Sequence, residues 1–277
     1  MKTADHLICK DIGLWWSEVP AYKNHRVGCL GGFQQITPEQ LEECEEKLRQ
    51  AGCTLAIGPM MGNTWRTHRA VIESNGSEPF LLEPFTPPAL AQRFREAGYE
   101  ELMTYSSSII DLEKTAGDFS GIVARMAREK VVIRPLEMSD LENELCAIHQ
   151  LSVEAFRENF LYVSISQEEF LTMYLKYAPI LSPSCAFLAE CEGRLAGFVF
   201  GYPQEKTIVV KTLAVLPERR FAGLGTLLVS TMQEAARKEG CEHAIHALQR
   251  EDNQSLRISQ RFSATVFRRY ALFSKLL

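Results

Sequence analysis

The sequence predicts an α/β protein, with a mixed sheet flanked by helices, built as two halves of the same kind. Three observations carry that reading. Extended apolar runs alternate with helical spacing through the second half, after an opening hairpin. A long strand there runs through a glycine-containing turn straight into an amphipathic helix. The first half also echoes the second. Glu46-x-x-Arg49-x-x-Gly52-Cys53-x-x-Ala56-Ile57 matches Glu234-x-x-Arg237-x-x-Gly240-Cys241-x-x-Ala244-Ile245 at a constant offset of 188 residues. That offset is far longer than a solenoid period, so it means two copies of a domain, one of them shortened. A chain of 277 residues has room for both.

In chain order, residues 26–36 read as a strand. Thr37-Pro38-Glu39-Gln40 then opens a helix as cap, first-turn proline and acidic first turn. Residues 53–59 and 102–112 are the next strands, and Phe94 to Tyr99 ends a helical segment at Gly98. The texture changes over 111–130, where Gly117, Asp118, Ser120 and Gly121 precede a basic Ala/Arg/Lys stretch. The domain boundary is placed there, giving 1–125 and 126–277.

Residues 131–136 begin the second half as an extended run, and 140–151 and 167–177 have helical spacing. Strands 185–191 and 195–202 are joined by Glu192-Gly193-Arg194. Strand 207–216 stops at Pro217, and helix 224–239 is stopped by Gly240. Strand 243–248, a short helix 253–261 and a last strand 264–273 complete the half.

Lys+Arg is 30 against Asp+Glu 35, a net charge of −5, so the basic excess that grips nucleic acid is missing. No apolar run reaches the roughly 18 residues of a membrane helix. The polar opening Met-Lys-Thr-Ala-Asp-His does not read as a signal peptide. Eight cysteines (9, 29, 44, 53, 146, 185, 191, 241) without a Cys-x-x-Cys pair read as core thiols in a reducing compartment. A cytoplasmic protein without nucleic-acid or membrane partners is expected. No metal is expected either: His243 and His246, three apart on a strand, face opposite sides.

The chemistry is concentrated in Leu213-Ala214-Val215-x-Pro217-x-x-Arg220-x-x-Gly223-x-Gly225. Glycines between a strand and a helix let backbone N–H groups approach an anion, and the helix start adds its dipole and unpaired amides. The turn has neither the Gly-Lys-Ser/Thr of a P-loop nor dinucleotide-fingerprint spacing. This stretch resembles the acetyl-CoA motif of the GNAT acetyltransferase superfamily. Ile133-Arg134-Pro135-Leu136 and the hairpin Glu192-Gly193-Arg194-x-x-Gly197 resemble that family's first strands, so the likeness covers most of 131–277.

The resemblance implies a GNAT-like acyltransferase fold in tandem, with a degenerate N-terminal half and acetyl-CoA as acyl donor. It implies that the backbone of Leu213, Ala214 and Val215 pairs with the pantetheine arm. Arg220, Phe221, Ala222, Gly223, Leu224, Gly225 and Thr226 would surround the pyrophosphate through main-chain N–H groups. Asn253 and Ser255 would hold the pantetheine or thiol end; the other reading of Asn253 is a plain helix cap. The chain departs from the family where a Tyr often protonates the departing thiolate, for that position is Gln260. Tyr270 reads as a structural strand residue, which leaves the acid role open, with water as one candidate. His243, His246 and Glu190 are candidates for the base, and none is assigned.

Shifted by 188, Arg220, Gly223 and Gly225 fall on Gly32, Gln35 and Thr37, so the first half lacks the phosphate turn. Its loop 58–69 carries Trp65, Arg66, His68 and Arg69. These either line a substrate pocket, with Glu83 adding a carboxylate, or tie the degenerate half to the active one. Trp15-Trp16 with Val19-Pro20 reads as packing or an interface patch. The strand closing the second half's sheet is expected from the first half or from a partner. The expected activity is acetyl transfer to the amine of a small molecule. The alternatives are an acyl-CoA sensor without catalysis and an aminoacyl-tRNA-dependent transferase.

Overall fold

Short apolar runs broken by glycine and charged turns form most of the strands. The computed structural model describes residues 4–9, 11–114, 117–180 and 183–277. Residues 1–3 of the expected start and 115–116 of the expected boundary lie outside them, as does the side chain of Cys9. The chain divides into two units: one runs through Ser106 with 159–163 and 267–277, the other holds 107–158 and 164–266.

The first unit opens with β1 (His6–Cys9), β2 (Ile12–Trp15) and β3 (Val27–Gly31). Helix α1 (Pro38–Gln50), β4 (Leu55–Gly58), β5 (Ala70–Ser74), α2 (Pro88–Glu96) and the start of β6 (Glu100–Asp111) follow. Strands β2, β3 and β4 are buried along their whole length, as near-continuous apolar runs require. Strand β3 is shorter than expected because Gly32, at φ +91°, turns the chain out of the sheet. Phe33 and Ile36 then enter the core from a loop. Helix α1 starts as the sequence indicates: Gln40 N–H donates to Thr37 Oγ1 at 3.2 Å, and Thr37 N–H to Gln40 Oε1 at 2.9 Å. Its Leu41, Cys44 and Leu48 face a core with Leu14, Leu30 and Phe94.

The second unit takes β6 from Ser107 on, then α3 (Ser120–Arg128), β7 (Val131–Pro135), α4 (Leu141–Ala155) and α5 (Gln167–Leu175). It continues with β8 (Ala186–Cys191), β9 (Arg194–Gln204), β10 (Thr207–Val215), α6 (Leu224–Lys238), β11 (His243–Arg250) and α7 (Gln254–Arg261). Its strands run in the order β11-β10-β9-β8-β7, antiparallel except for the β10–β11 pair. Strand β6, read in the sequence as the close of the first half, lies beside β11, with Leu112 N–H on Glu242 O at 3.0 Å. The last strand, β12 (Thr265–Leu276), belongs from Phe267 on to the first unit, where it pairs with β4 and β5.

The 188-residue echo holds in the ladders. Leu55, Ala56 and Ile57 pair in parallel with Val27, Gly28 and Cys29. His243, Ala244 and Ile245 pair in parallel with Thr207, Ile208 and Val209.

Glu83 is not a pocket carboxylate. It is fully buried against Arg268, with Oε2 and Oε1 at 2.6 and 2.7 Å from Nη1, and it also accepts from Phe80 N–H and the Tyr270 hydroxyl. Tyr270 is thus a structural strand residue, as the sequence reading has it. Removing one partner strands the other charge, so Glu83→Ala is expected to cost about 3–5 kcal/mol in urea unfolding. A Glu83→Leu, Arg268→Met double variant should cost distinctly less.

Candidate functional site

The site begins where two parallel strands part. The β10–β11 ladder holds four pairs, from Thr207↔His243 to Val210↔His246. Beyond it both strands lose regularity. Against β9, the register of β10 shifts between Val210↔Gly201 and Thr212↔Phe200, leaving Lys211 as a bulge. In β11, Leu248 takes φ +58°, and its N–H donates to Ser107 Oγ at 3.0 Å. Strand β10 keeps its other neighbour: Leu213, Ala214 and Val215 pair with Val199, Phe198 and Gly197. The edge of β10 toward β11 therefore lies past the end of the parallel ladder, and backbone groups on such an edge suit an extended polar chain.

The same strand leads into the turn. A 3₁₀ turn at Arg219–Phe221 buries Phe221, and Ala222 passes the chain to Gly223, the N-cap of α6 at φ +91°. No side chain caps this helix. Leu227 N–H reaches Gly223 O at 3.2 Å, so the amides of Leu224, Gly225 and Thr226 lie ahead of the helical ladder. A Cβ on Gly225 would sit 3.2 Å from Ile258 Cδ1 and 3.4 Å from Leu213 Cδ2, which packs α7 and β10 closely against the helix start. Arg220 donates from Nε to Glu218 at 2.8 Å and from Nη1 to Glu192 at 3.3 Å. The Glu218 hydrogen bond leads in raising its pKa. Its guanidinium thus faces carboxylates.

The matching helix start in the first unit is closed. The start of α1 is closed by Thr37 and Gln40, and Glu39 sits in its first turn. Gln35 and Thr37, the positions matching the turn glycines, lie in and at the end of that short connection.

Helix α7 carries the next expected residues. Asn253 is its N-cap residue, but its side chain makes no capping hydrogen bond, so capping does not account for it. Ser255 is in the first turn, its carbonyl accepting from Gln249 Nε2 at 2.7 Å. Gln260 is exposed at the far end.

The candidate bases are all otherwise placed. His243 pairs with Thr207 at the closed end of the ladder. Glu190 is ion-paired with Arg134 at 2.6 Å. His246 is 3% exposed, with Gln233 Nε2 2.9 Å from Nε2 and Ser259 Oγ 2.6 Å from Nδ1. Ser259 in turn donates to Gln249 Oε1 at 2.7 Å. Burial pulls the His246 pKa down to about 3. The neutral ring accepts at Nε2 and donates from Nδ1, which satisfies every member of the chain.

One residue that the sequence did not mark is Tyr174 of α5. Its ring stacks on Phe170 at 4.4 Å and meets Phe200 edge-on at 5.8 Å. Burial pushes its phenol up to about 12, and it hydrogen-bonds Thr212, beside the β10 bulge. No spacing signals this, because the partners are 38 residues apart (212 − 174) on separate elements.

In the first unit, Trp65 Nε1–H donates to Val163 O at 2.7 Å, and Arg66 O meets His68 Nδ1 at 2.8 Å. Arg69 contacts His68 Nε2 and lies 3.8 Å over the Tyr105 ring, with burial lowering its pKa to about 10. His68 and Arg69 are buried.

Among the described residues no group of three His, Cys, Asp or Glu could hold a metal, and no helix is long and apolar enough to cross a membrane. Seven described cysteines are free, five of them buried; Cys146 and Cys241 are partly exposed.

Neutral in the folded state, His246 takes up a proton on unfolding below about pH 6.5. Its contribution should therefore be intact above pH 6.5 and fall by about 1.4 kcal/mol per pH unit toward pH 3. The stability gap between the native protein and His246→Gln should shrink by about 2–3 kcal/mol from pH 6 to pH 4, read from urea melts at each pH.

Residues 145–261 match the Acetyltransferase (GNAT) family, a span that includes β10, the turn, α6, β11 and α7. Protein YghO of Escherichia coli (strain K12) is 24% identical, over 83% of this chain and 68% of that protein. A GCN5-related N-acetyltransferase from Sphaerobacter thermophilus has a TM-score of 0.59 at 15% identity, over 96% of this chain and 76% of that one. A tandem GNAT protein from the clavulanic acid biosynthesis pathway has a TM-score of 0.51 at 14% identity, over 90% and 75%. At such identities these structures show a shared fold alone.

Proposed function

The chain carries an acetyltransferase domain of the GNAT family, and from that premise we propose that it moves the acetyl group of acetyl-CoA to the amine of a small molecule. The observation that carries this reading is one continuous feature. The edge of β10 at Leu213–Val215, beyond the β10–β11 ladder, leads directly to an α6 N-terminus that no side chain caps. An extended amide-bearing arm fits the first part, and a pyrophosphate fits the second.

In this assignment Leu213, Ala214 and Val215 pair with the pantetheine. The main chain from Arg220 to Thr226 holds the pyrophosphate, and Asn253 and Ser255 hold the thiol end. The amine, once deprotonated, attacks the thioester carbonyl: a C–N bond forms, the C–S bond breaks, and the thiolate gains a proton. Strand N–H groups near Val215 stabilise the developing oxyanion. No covalent enzyme intermediate is needed, so no activated Ser or Cys is required. The second unit supplies the chemistry, and the first is a degenerate copy whose helix start is self-capped. The net charge of −5 favours a cationic acceptor. The free thiols suit a reducing, cytoplasmic setting.

Gln260, exposed where the family often has a Tyr, favours a second reading, acyl-CoA binding without turnover. Calorimetric titration of the whole protein with acetyl-CoA should give saturable binding. Hydrogen exchange should then slow at the amides of 213–226, and Asn253→Ala should weaken binding about tenfold. Thiol release with a panel of amines supports transfer, and binding without release supports the sensor. A folded protein that does not bind acetyl-CoA overturns both.

A further inference from the structure

We propose that Arg125 of α3 is a phosphate ligand of the acyl-CoA carrier, a binding residue supplied from outside the family-matched span 145–261. The proposal rests on the reading of the α6 turn as the carrier's phosphate site. A Cβ built on Gly223 would lie 2.8 Å from Arg125 Nη2 and 3.3 Å from the Ile122 side chain. The guanidinium of α3 therefore stands directly over the N-cap of α6, in space that any other N-cap residue would take.

Charge makes this position unusual. A helix N-terminus is the positive end of the dipole, where a cation is unfavourable and a carboxylate or hydroxyl is the normal partner. Here α6 has no side-chain cap. Arg220 is already engaged by Glu218 and Glu192. Arg125 forms no ion pair among the described residues, and its Nε is shut off from solvent without an acceptor there. A buried charged donor without a partner is costly, and a cation at a dipole's positive end adds to that cost. An anion between the guanidinium and the α6 amides relieves both at once. Arginine's planar fork suits phosphate oxygens, and the glycine leaves room for the approach.

Whether the oxygens belong to the pyrophosphate or to the 3′-phosphate is settled by comparing two carriers. Calorimetry on the full chain would use CoA and 3′-dephospho-CoA, with the native protein, Arg125→Met, Arg125→Lys and, as control, Arg128→Met on the exposed side of α3. Arg125→Met should weaken CoA about 10- to 100-fold, with Arg125→Lys intermediate and Arg128→Met within about twofold. A loss that persists with 3′-dephospho-CoA assigns the pyrophosphate, and a loss that vanishes assigns the 3′-phosphate. In the absence of ligand, Arg125→Met should not lower the melting temperature, whereas a merely structural arginine would. Native-like CoA affinity in a folded Arg125→Met overturns the proposal. A native protein that binds no CoA overturns the underlying reading and this proposal with it.

Discussion

The parting of β10 and β11 is the constraint on which the second unit's site depends. Parallel strands stay together only while both keep an even rise, and here each loses it within a few residues of the last pair. The bulge at Lys211 re-aims β10 without costing it β9, because the antiparallel register resumes at Thr212↔Phe200. In β11 the change falls on a leucine in the left-handed region, a conformation that the surrounding structure must pay for. The Leu248 N–H is caught by Ser107 from β6, so the departing strand exchanges one partner for another. The result is a stretch of β10, from Leu213 to Val215, that lies beyond the last pair of the parallel ladder while β9 still holds its other side.

The two helix starts show how one scaffold can serve opposite ends. Each follows the first strand of a parallel pair, and each is followed by a strand whose residues hold matching ladder positions. At α1, Thr37 and Gln40 satisfy one another's backbone and Glu39 supplies the negative charge that the dipole favours. At α6, Gly223 supplies no side chain and nothing replaces it. The difference is electrostatic rather than architectural. A helix that caps itself commits its first amides to its own side chains, while a helix capped by glycine keeps them for an anion.

Much of this was legible before any coordinates, for local reasons. The helix of residues 224–239, the hairpin at Glu192-Gly193-Arg194 and the cap at Thr37 are fixed by residues within a few positions of one another. What escaped was set at long range. Glu83 looked like a loop carboxylate, and only β12, 185 residues downstream, brings Arg268 to bury it. Residues 26–36 looked like one strand because Phe33 and Ile36 are apolar, although Gly32 turns the chain and they reach the core from outside the sheet. The Leu248 kink, the Tyr174–Thr212 hydrogen bond and the approach of Arg125 to Gly223 leave no periodic trace. Each joins elements remote in sequence, and each lies at or beside the opening.

The polar chain through His246 ties that opening to the stability of its walls. Gln233 belongs to α6, His246 and Gln249 to β11, and Ser259 to α7, so three elements bordering the site share one buried line of hydrogen bonds. Such a line works only if every donor meets an acceptor, which holds for a neutral imidazole with its proton on Nδ1. A charged ring would present a second donor to Gln233 and lose that match. This histidine, one of three unassigned base candidates in the sequence, is thus better suited to remaining neutral. Its contribution is to tie α7, through Ser259, to β11 and to Gln233 of α6. The titration behaviour useful in a base would here loosen the wall of the site.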